Sequence, residues 1–187
     1  MNTLNRDVVE IFQDSSQWYK TDPLPRIYSY ISTVAIDKMC YVLGESDGKQ
    51  SDLEDIAHPK VLYASVDNLI SNAVPANQKL QHDNDGTHSA WKMLPHTPSY
   101  QPALTTLDGY VVAVGGWQTS KQGARKRDIY VFSPSVNSWV YISDLPAPRT
   151  SIAVAIMNRM EILVIGGQGG DDDRVSTVYK GCINLKL

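Results

Sequence analysis

A glycine-rich segment is the first feature that could do chemistry, because closely spaced backbone N–H groups can hold a phosphate. Residues 166–170 read Gly-Gly-Gln-Gly-Gly and follow an apolar run. A dinucleotide-binding loop needs a helix directly after it, whose N-terminus receives the phosphate. Here residues 171–173 are three aspartates, which would repel phosphate. The full calcium-loop pattern is also missing, so we interpret this segment as a solvated loop between strands.

The histidines and cysteines do not show the spacing of a metal site or a catalytic nucleophile. His82 and His88 are close in sequence, but no second pair of ligands accompanies them. Neither cysteine lies beside a histidine, and the Gly-x-Ser-x-Gly motif of serine hydrolases is missing. Cys40 lies inside an apolar run, where a buried and inert thiol is expected. We therefore predict no catalytic, metal-binding or cofactor-binding residues and no enzyme activity.

The overall composition excludes several other classes of function. Among 187 residues, 17 are Lys or Arg and 20 are Asp or Glu, which gives a formal net charge of −3. Such a balance lacks the basic excess that binding to nucleic acid requires. No apolar run approaches the ~20 residues of a membrane helix, and the N-terminus lacks the apolar core of a signal peptide. We expect a cytoplasmic globular protein with neither nucleic acid nor membrane as a partner.

A repeated pattern of tryptophan, Leu-Pro and glycine organises the chain. The dipeptides Leu24-Pro25, Leu94-Pro95 and Leu145-Pro146 each precede a glycine by 20 or 21 residues. A tryptophan lies three or six residues before each Leu-Pro, and the glycine is doubled in the second and third copies. The repeated residues are Trp18, Trp91 and Trp139, with Gly44, Gly115, Gly116, Gly166 and Gly167.

Two apolar runs separated by a turn lie between each Leu-Pro and the following glycine. In the second copy, residues 103–107 and 110–114 flank Asp108-Gly109, which is a strong hairpin signal. A third strand is predicted over 128–132, and a fourth begins at Trp139. Each copy is thus a four-stranded antiparallel meander of about 50 residues, which is the blade of an all-β propeller.

These features resemble the kelch motif. The resemblance rests on the doubled glycine after an apolar strand, Tyr130 in the next strand, Trp139 after a turn, and the following Leu145-Pro-Ala-Pro-Arg149. It runs from Trp91 to Arg149 and continues to Tyr179, which has the same role as Tyr130. A kelch-type β-propeller implies that these residues are scaffold. Glycine allows a close backbone approach, and tryptophan fills the space between blades.

The spacing divides the chain into a single partial propeller, 1–187, of about three and a half blades. The predicted parts are a half blade 1–23, a blade 24–93 with an insertion 66–88, a blade 94–144 and an incomplete blade 145–187. Within the insertion, residues 67–74 predict one or two helical turns that end at Pro75, followed by a polar loop. Kelch propellers close with about six blades, so we expect an open arc of 3–4 blades. A fragment of a larger kelch protein is favoured over an oligomeric ring or an arc capped by a partner.

The resemblance implies binding rather than catalysis, because many kelch propellers recruit a protein partner. We predict a non-catalytic protein-binding module that presents loops to a protein or peptide, with no cofactor. One alternative is part of a substrate-recognition adaptor of a cullin-type ubiquitin ligase, although no BTB domain is visible. A less favoured alternative is a fragment of a kelch-fold enzyme such as galactose oxidase, whose copper ligands have no comparable set here.

The resemblance also implies where a partner would bind. In kelch proteins, the loops between strands two and three share a face with the loops that lead into strand one. Counting from the Leu-Pro anchors places Tyr30, Tyr100 and Ser151 at one repeated position. Trp117 lies outside the repeat and is expected to be exposed beside a basic patch over 122–127. The candidate partner-binding residues are Tyr30, Tyr100, Trp117, Arg125, Arg127, Arg149, Ser151 and Asp172.

Overall fold

The chain folds into four antiparallel sheets, as seen in a computed structural model. The structure describes residues 10–12, 18–25, 28–46, 60–71, 73–78, 90–94, 97–118, 123–169 and 173–185. Its elements are β1 (Glu10–Phe12), β2 (Trp18–Lys20), β3 (Tyr28–Ile36), β4 (Met39–Ser46), β5 (Lys60–Ser65), α1 (Val66–Ser71), β6 (Val74–Pro75), β7 (Lys92–Met93), β8 (Ala103–Leu107), β9 (Tyr110–Val114), β10 (Asp128–Ser133), β11 (Ser138–Asp144), β12 (Ala153–Ile156), β13 (Glu161–Ile165) and β14 (Val178–Cys182). No helix in these described ranges is long and apolar enough to cross a lipid bilayer.

Three of the sheets are blades whose strands pair mostly in chain order. Blade one is β3-β4-β5-β7, blade two is β8-β9-β10-β11, and blade three is β12-β13-β14. The predicted hairpins of blades one and two turn at Asp37 and at Asp108-Gly109, all three of which have positive φ. The first strand of blade two, β8, lies beside the first strands of blades one and three. The first strands are therefore the neighbouring, innermost strands of the arc.

Apolar side chains between neighbouring blades form the core. We call the surface of a blade that faces its lower-numbered neighbour the inner face, and the opposite surface the outer face. The outer face of blade one, with Tyr41 and Leu43, packs against the inner face of blade two, with Val111 and Phe132. Because side chains of a strand alternate between the two faces, a blade that is covered on both sides needs apolar residues throughout. This explains the nearly continuous apolar runs of the sequence.

The next interface repeats this arrangement one blade further along. The outer face of blade two, with Val112, Val114 and Val131, packs against the inner face of blade three, with Ile162 and Val164. The stacking of successive antiparallel meanders confirms the predicted fold class, an incomplete kelch-type β-propeller in the form of an open arc.

The insertion covers the inner face of blade one. Leu69 of α1 is fully buried and packs with Val42, Leu62 and Trp91. The helix ends at Ser71 rather than at Pro75, because residues 74–75 form β6. This strand pairs with β2, where Pro75 lies opposite Tyr19. The N-terminal sheet therefore has the order β1-β2-β6, and the predicted loop lies outside the described residues from position 79 onward.

The first copy of the repeat departs from the other two. Trp91 is buried and its Nε1 donates to the carbonyl of Asp22 at 3.1 Å, while Trp139 packs against Phe132 with ring centroids 5.3 Å apart. Trp18, by contrast, is 45% exposed, so it does not fill a gap between blades as predicted. Gly44 also differs, since it pairs with Lys60 inside a β4 that continues to Ser46.

Candidate functional site

The glycine pairs Gly115-Gly116 and Gly166-Gly167 shape the candidate site, which lies at the end of the blades where strand two passes to strand three. We call this the loop end. All four glycines have φ between +61° and +98°, a region that other residues rarely adopt. A Cβ at Gly115 would overlap the carbonyl oxygen of Arg149, and one at Gly116 would overlap that of Tyr100. The glycines thus permit the close backbone approach that the repeat pattern predicts.

Beyond each glycine pair, main-chain bridges add one more layer to the blade. In blade two, Trp117 forms bridges with Tyr100 and Arg125. The Trp117 amide donates to the Tyr100 carbonyl at 2.7 Å, and the Tyr100 amide donates back at 2.9 Å. In blade three, Gln168 forms the same bridges with Thr150 and Arg174. The loop end therefore has a repeated, hydrogen-bonded backbone.

This repeated layer corrects the predicted equivalence of Tyr100 and Ser151. Tyr100 corresponds to Thr150, because each bridges the residue that follows the glycine pair. Ser151 corresponds to Gln101, and both have positive φ, +53° and +48°. Tyr100 follows Leu94 by six residues, whereas Thr150 follows Leu145 by five. The pairing of the strands, not the distance from the Leu-Pro anchor, sets the register. Counting from the anchor therefore selects Ser151, which lies one residue beyond the true counterpart of Tyr100.

Trp117 is buried rather than exposed, which corrects a second prediction. Only 8% of its surface is accessible. Its backbone is the middle member of the bridged layer, and the Arg125 guanidinium carbon lies 4.5 Å from the centre of its ring. Arg125 is half-buried, with its Nε fully buried, so its guanidinium covers one face of the indole.

The predicted basic patch is largely neutralised by neighbouring carboxylates. Lys126 forms an ion pair with Asp128 at 2.9 Å and donates to the carbonyl of Pro98 at 2.8 Å. Arg127 is exposed, and its Nε lies 2.9 Å from a carboxylate oxygen of Asp144. These two cations tie loop segments together, and Lys126 also lies over the Tyr130 ring.

Arg149 joins blades two and three. Its backbone carbonyl accepts from the Gly116 amide at 2.9 Å, and its amide donates to the Lys126 carbonyl at 3.0 Å. Its guanidinium donates to the Tyr179 hydroxyl at 3.0 Å and lies over that ring. The side chain is buried. In the described part of the chain, neither its Nε nor the buried Oγ1 of Thr150 has a hydrogen-bond partner.

Two predicted site residues are not placed among these contacts. Tyr30 lies in β3 where the register with β4 is irregular, between Ser29 and Ser32. The side chain of Tyr30 and all of Asp172 lie outside the described residues. The structure also brings in three residues that the sequence pattern did not single out. Thr150, Gln168 and Arg174 are the counterparts of Tyr100, Trp117 and Arg125. Alignment on the glycine pairs would have found Gln168 alone, because it directly follows Gly167 as Trp117 follows Gly116.

The thiols and other ligand-type side chains are dispersed. Cys40 is half-buried, and burial raises the pKa of its thiol, whereas Cys182 is exposed. Across the described ranges, no three His, Cys, Asp or Glu side chains converge as a set that could hold a metal ion.

Comparison with known proteins relates this architecture to a family. The solved structure titled "Structure of YjhT" matches with a TM-score of 0.63 and 14% sequence identity, over 91% of this chain and 56% of that one. The chain thus spans about half the length of that protein, and the likeness at this identity concerns the fold. No curated protein matches the sequence significantly. The family model described as the kelch motif matches residues 98–146, which comprise β8 to β11. The chain therefore carries a kelch motif over these residues, and the predicted resemblance to the kelch motif is confirmed.

Proposed function

We propose that this protein is a non-catalytic binding module whose loop end contacts a protein or peptide partner. The observation that carries the proposal is the bridged layer beyond the glycine pairs. The same three backbone positions recur in blades two and three, and the side chains differ at two of them. Trp117 in blade two corresponds to Gln168 in blade three, and Tyr100 corresponds to Thr150. A rigid backbone with variable side chains is the usual design of a recognition surface.

The arginines supply the contacts on this surface. Arg125 and Arg174 occupy equivalent bridged positions, the first half-buried on Trp117 and the second exposed. Arginine and aromatic residues are enriched among the anchors of protein interfaces. The stacking of Arg125 on Trp117 restricts its rotamers before a partner arrives, which lowers the entropic cost of binding.

The backbone around these arginines is also fixed in advance. The Gln118 amide donates to the Ala124 carbonyl at 2.8 Å, and the Gly169 amide donates to the Asp173 carbonyl at 2.9 Å. These bonds close the two loops at their bases. Loops closed in this way hold their side chains on rigid blades, as a binding surface requires.

A peptide-display experiment tests the proposal. Random peptides on phage are panned against the immobilised protein, and the enriched peptides are measured on variants by fluorescence anisotropy. We expect the double variant Arg125→Ala/Arg174→Ala to weaken binding by about tenfold or more. The control Arg159→Ala removes an exposed arginine from the turn between β12 and β13, at the opposite end of the blade.

The two variants give opposite results if the loop end is the binding surface. Peptides that lose affinity with the double variant and keep it with Arg159→Ala support the proposal. Peptides that bind the double variant as well as the unchanged protein would place the binding surface elsewhere. Circular dichroism on all variants confirms that the fold is retained, because Arg125→Ala removes a cation–π contact worth only about 1 kcal/mol.

A further inference from the structure

The pairing of β1 with β2 in the N-terminal sheet repeats the pairing of β10 with β11 in blade two. In both cases three consecutive residues of the outer strand pair with three of the strand inside it, and a tryptophan stands opposite a phenylalanine. The equivalent pairs are Trp18 with Phe12 and Trp139 with Phe132, Tyr19 with Ile11 and Val140 with Val131, and Lys20 with Glu10 and Tyr141 with Tyr130. β2 is therefore the structural counterpart of β11.

The outer edge of β2 receives an added strand. β6, which belongs to the insertion in blade one, pairs with it antiparallel and places Pro75 opposite Tyr19. The Ala76 amide donates to the Trp18 carbonyl at 2.9 Å. Proline fits here because every second residue of an antiparallel strand turns its N–H away from the partner strand. Residues 74–76, Val-Pro-Ala, thus show what kind of segment this edge can hold.

β11 presents the same kind of edge at the outside of blade two. In the described part of the chain it pairs with β10 alone, in the order β11-β10-β9-β8. Because Trp139 corresponds to Trp18, the N–H and C=O groups of Trp139 and Tyr141 face outward from the sheet. The Tyr141 ring is 52% exposed and packs edge-on against Tyr130, with centroids 5.7 Å apart. Blades stack face to face, so the neighbouring blades of the arc do not cover this edge.

The geometry of β11 sets the length of the segment that can be added. The pairing with β10 shifts register beyond Tyr141, where Ile142 is the additional residue of a bulge, and a bulge interrupts strand addition. Residues 139–141 remain as a regular edge, which matches the three residues that β2 receives. The outermost strands β6 and β7 comprise two residues each, too few for the same ladder.

The charges beside this edge cancel, which favours an uncharged segment. They form two ion pairs, each with a distance of 2.9 Å between nitrogen and oxygen: Lys126 with Asp128, and Arg127 with Asp144.

We propose that the outer edge of β11 binds an extended, uncharged segment of a partner protein by strand addition, in the register that β6 takes on β2. Main-chain hydrogen bonds supply the affinity in this mode of recognition, and the side chains fix the register. A valine of the partner lies opposite Tyr141, as Val74 lies opposite Lys20, and packs on the exposed ring. The proline lies opposite Val140, and the following alanine amide donates to the Trp139 carbonyl.

Peptide panning with a fixed core tests the proposal. A phage library with Val-Pro-Ala at its centre and random flanks is panned against the complete chain, and enriched peptides are titrated by fluorescence anisotropy. Tyr141→Pro removes an outward-facing amide and no hydrogen bond within the sheet, so it should weaken binding by about tenfold or more. The matched control Tyr141→Thr keeps the amide and removes the ring, and should weaken binding by about fivefold or less.

Two measurements on the unchanged protein locate the bound peptide. Hydrogen exchange should slow at the amides of Trp139 and Tyr141 and stay unchanged at those of Trp18 and Trp117. N-methylation of the peptide's alanine removes the donor to the Trp139 carbonyl and should weaken binding by about tenfold or more. N-methylation of the residue before the valine is the control, because that amide faces away from the edge.

Several results would overturn the proposal. They are a library from which no peptide is enriched, equal binding to Tyr141→Pro and the unchanged protein, and binding that is insensitive to the methylated alanine. Protection at Trp18 would show that the peptide replaces β6, and protection at Trp117 would place it at the loop end. The two proposed sites fail independently, because Arg125→Ala/Arg174→Ala should weaken only peptides at the loop end.

Discussion

Blades two and three have the same strand pairing but opposite surroundings on their outer faces. In blade two, Val112 and Val131 are fully buried against the next blade. In blade three, Leu163 and Lys180 take the same two positions, and Lys180 is exposed. The two blades share the same backbone pairing, so the backbone does not decide whether an outer face is buried. The side chain on the third strand differs instead: it is valine on the buried face and lysine on the exposed face.

The comparison shows how one side chain distinguishes a covered face from an exposed one. A lysine at a position that is valine in a covered blade would leave an unpaired charge between two sheets. At the exposed position the same lysine finds Glu161 and water. Exchanging valine and lysine at these equivalent positions should therefore have very different effects on stability in the two blades. The substitution at the buried position gives the largest effect we predict.

Val131→Lys should destabilise the protein by at least about 4 kcal/mol, because it buries a charge with no compensating partner. The reciprocal change, Lys180→Val, should leave the unfolding transition nearly unchanged, since an exposed ion pair contributes little. Urea denaturation followed by tryptophan fluorescence measures both. Equal losses of stability in the two variants would show that the outer face of blade three is as covered as that of blade two.

A second comparison between blades two and three concerns the glycine pairs at the loop end. Gly116→Ala should cost about 3 kcal/mol or more, because the new Cβ overlaps a backbone carbonyl and the φ of +98° is unfavourable for alanine. Gly166→Ala should cost only about 1 kcal/mol. Its nearest atom is the Val175 carbonyl oxygen at 3.3 Å, which leaves backbone strain as the main effect.

Thermal unfolding of the two glycine variants provides the measurement. Both substitutions add the same methyl group at positive φ, so each is the other's control for the intrinsic cost of alanine. If Gly166→Ala proved the more damaging, the joint between blades would depend on the φ angle rather than on the close approach of the two backbones.

The sequence predicts the blades well because their signals are local. Leu-Pro, the doubled glycines and the hairpin at Asp108-Gly109 each depend on the backbone within a few residues. The strands of blade two therefore lie where the pattern places them. The pairing of Pro75 with Tyr19 was not predictable in this way, because it joins segments more than fifty residues apart through an insertion without repeat counterparts.

The site was harder to predict because its residues depend on register and on tertiary burial. Counting from Leu-Pro predicted Ser151 as the counterpart of Tyr100. The strand pairing gives Thr150 instead, because this position lies one residue closer to the Leu-Pro anchor in blade three. Trp117 lies off the repeat, which indicated exposure, but a bridged backbone and the stacked Arg125 cover it. Neither the register of the bridges nor the burial of Trp117 can be read from the local sequence, because both depend on contacts between segments that are distant along the chain.

The smallest predicted effect concerns the equivalent tyrosines Tyr130 and Tyr179. Tyr179 accepts a hydrogen bond from buried Arg149 at 3.0 Å, so Tyr179→Phe should cost about 1–2 kcal/mol. The Tyr130 hydroxyl lies 3.5 Å from an oxygen of Asp128, a distance at which Tyr130→Phe should cost less than about 0.5 kcal/mol. Chemical denaturation resolves this difference. If the two phenylalanine variants were equally stable, Arg149 would hold blades two and three together through its backbone bonds and its stacking alone.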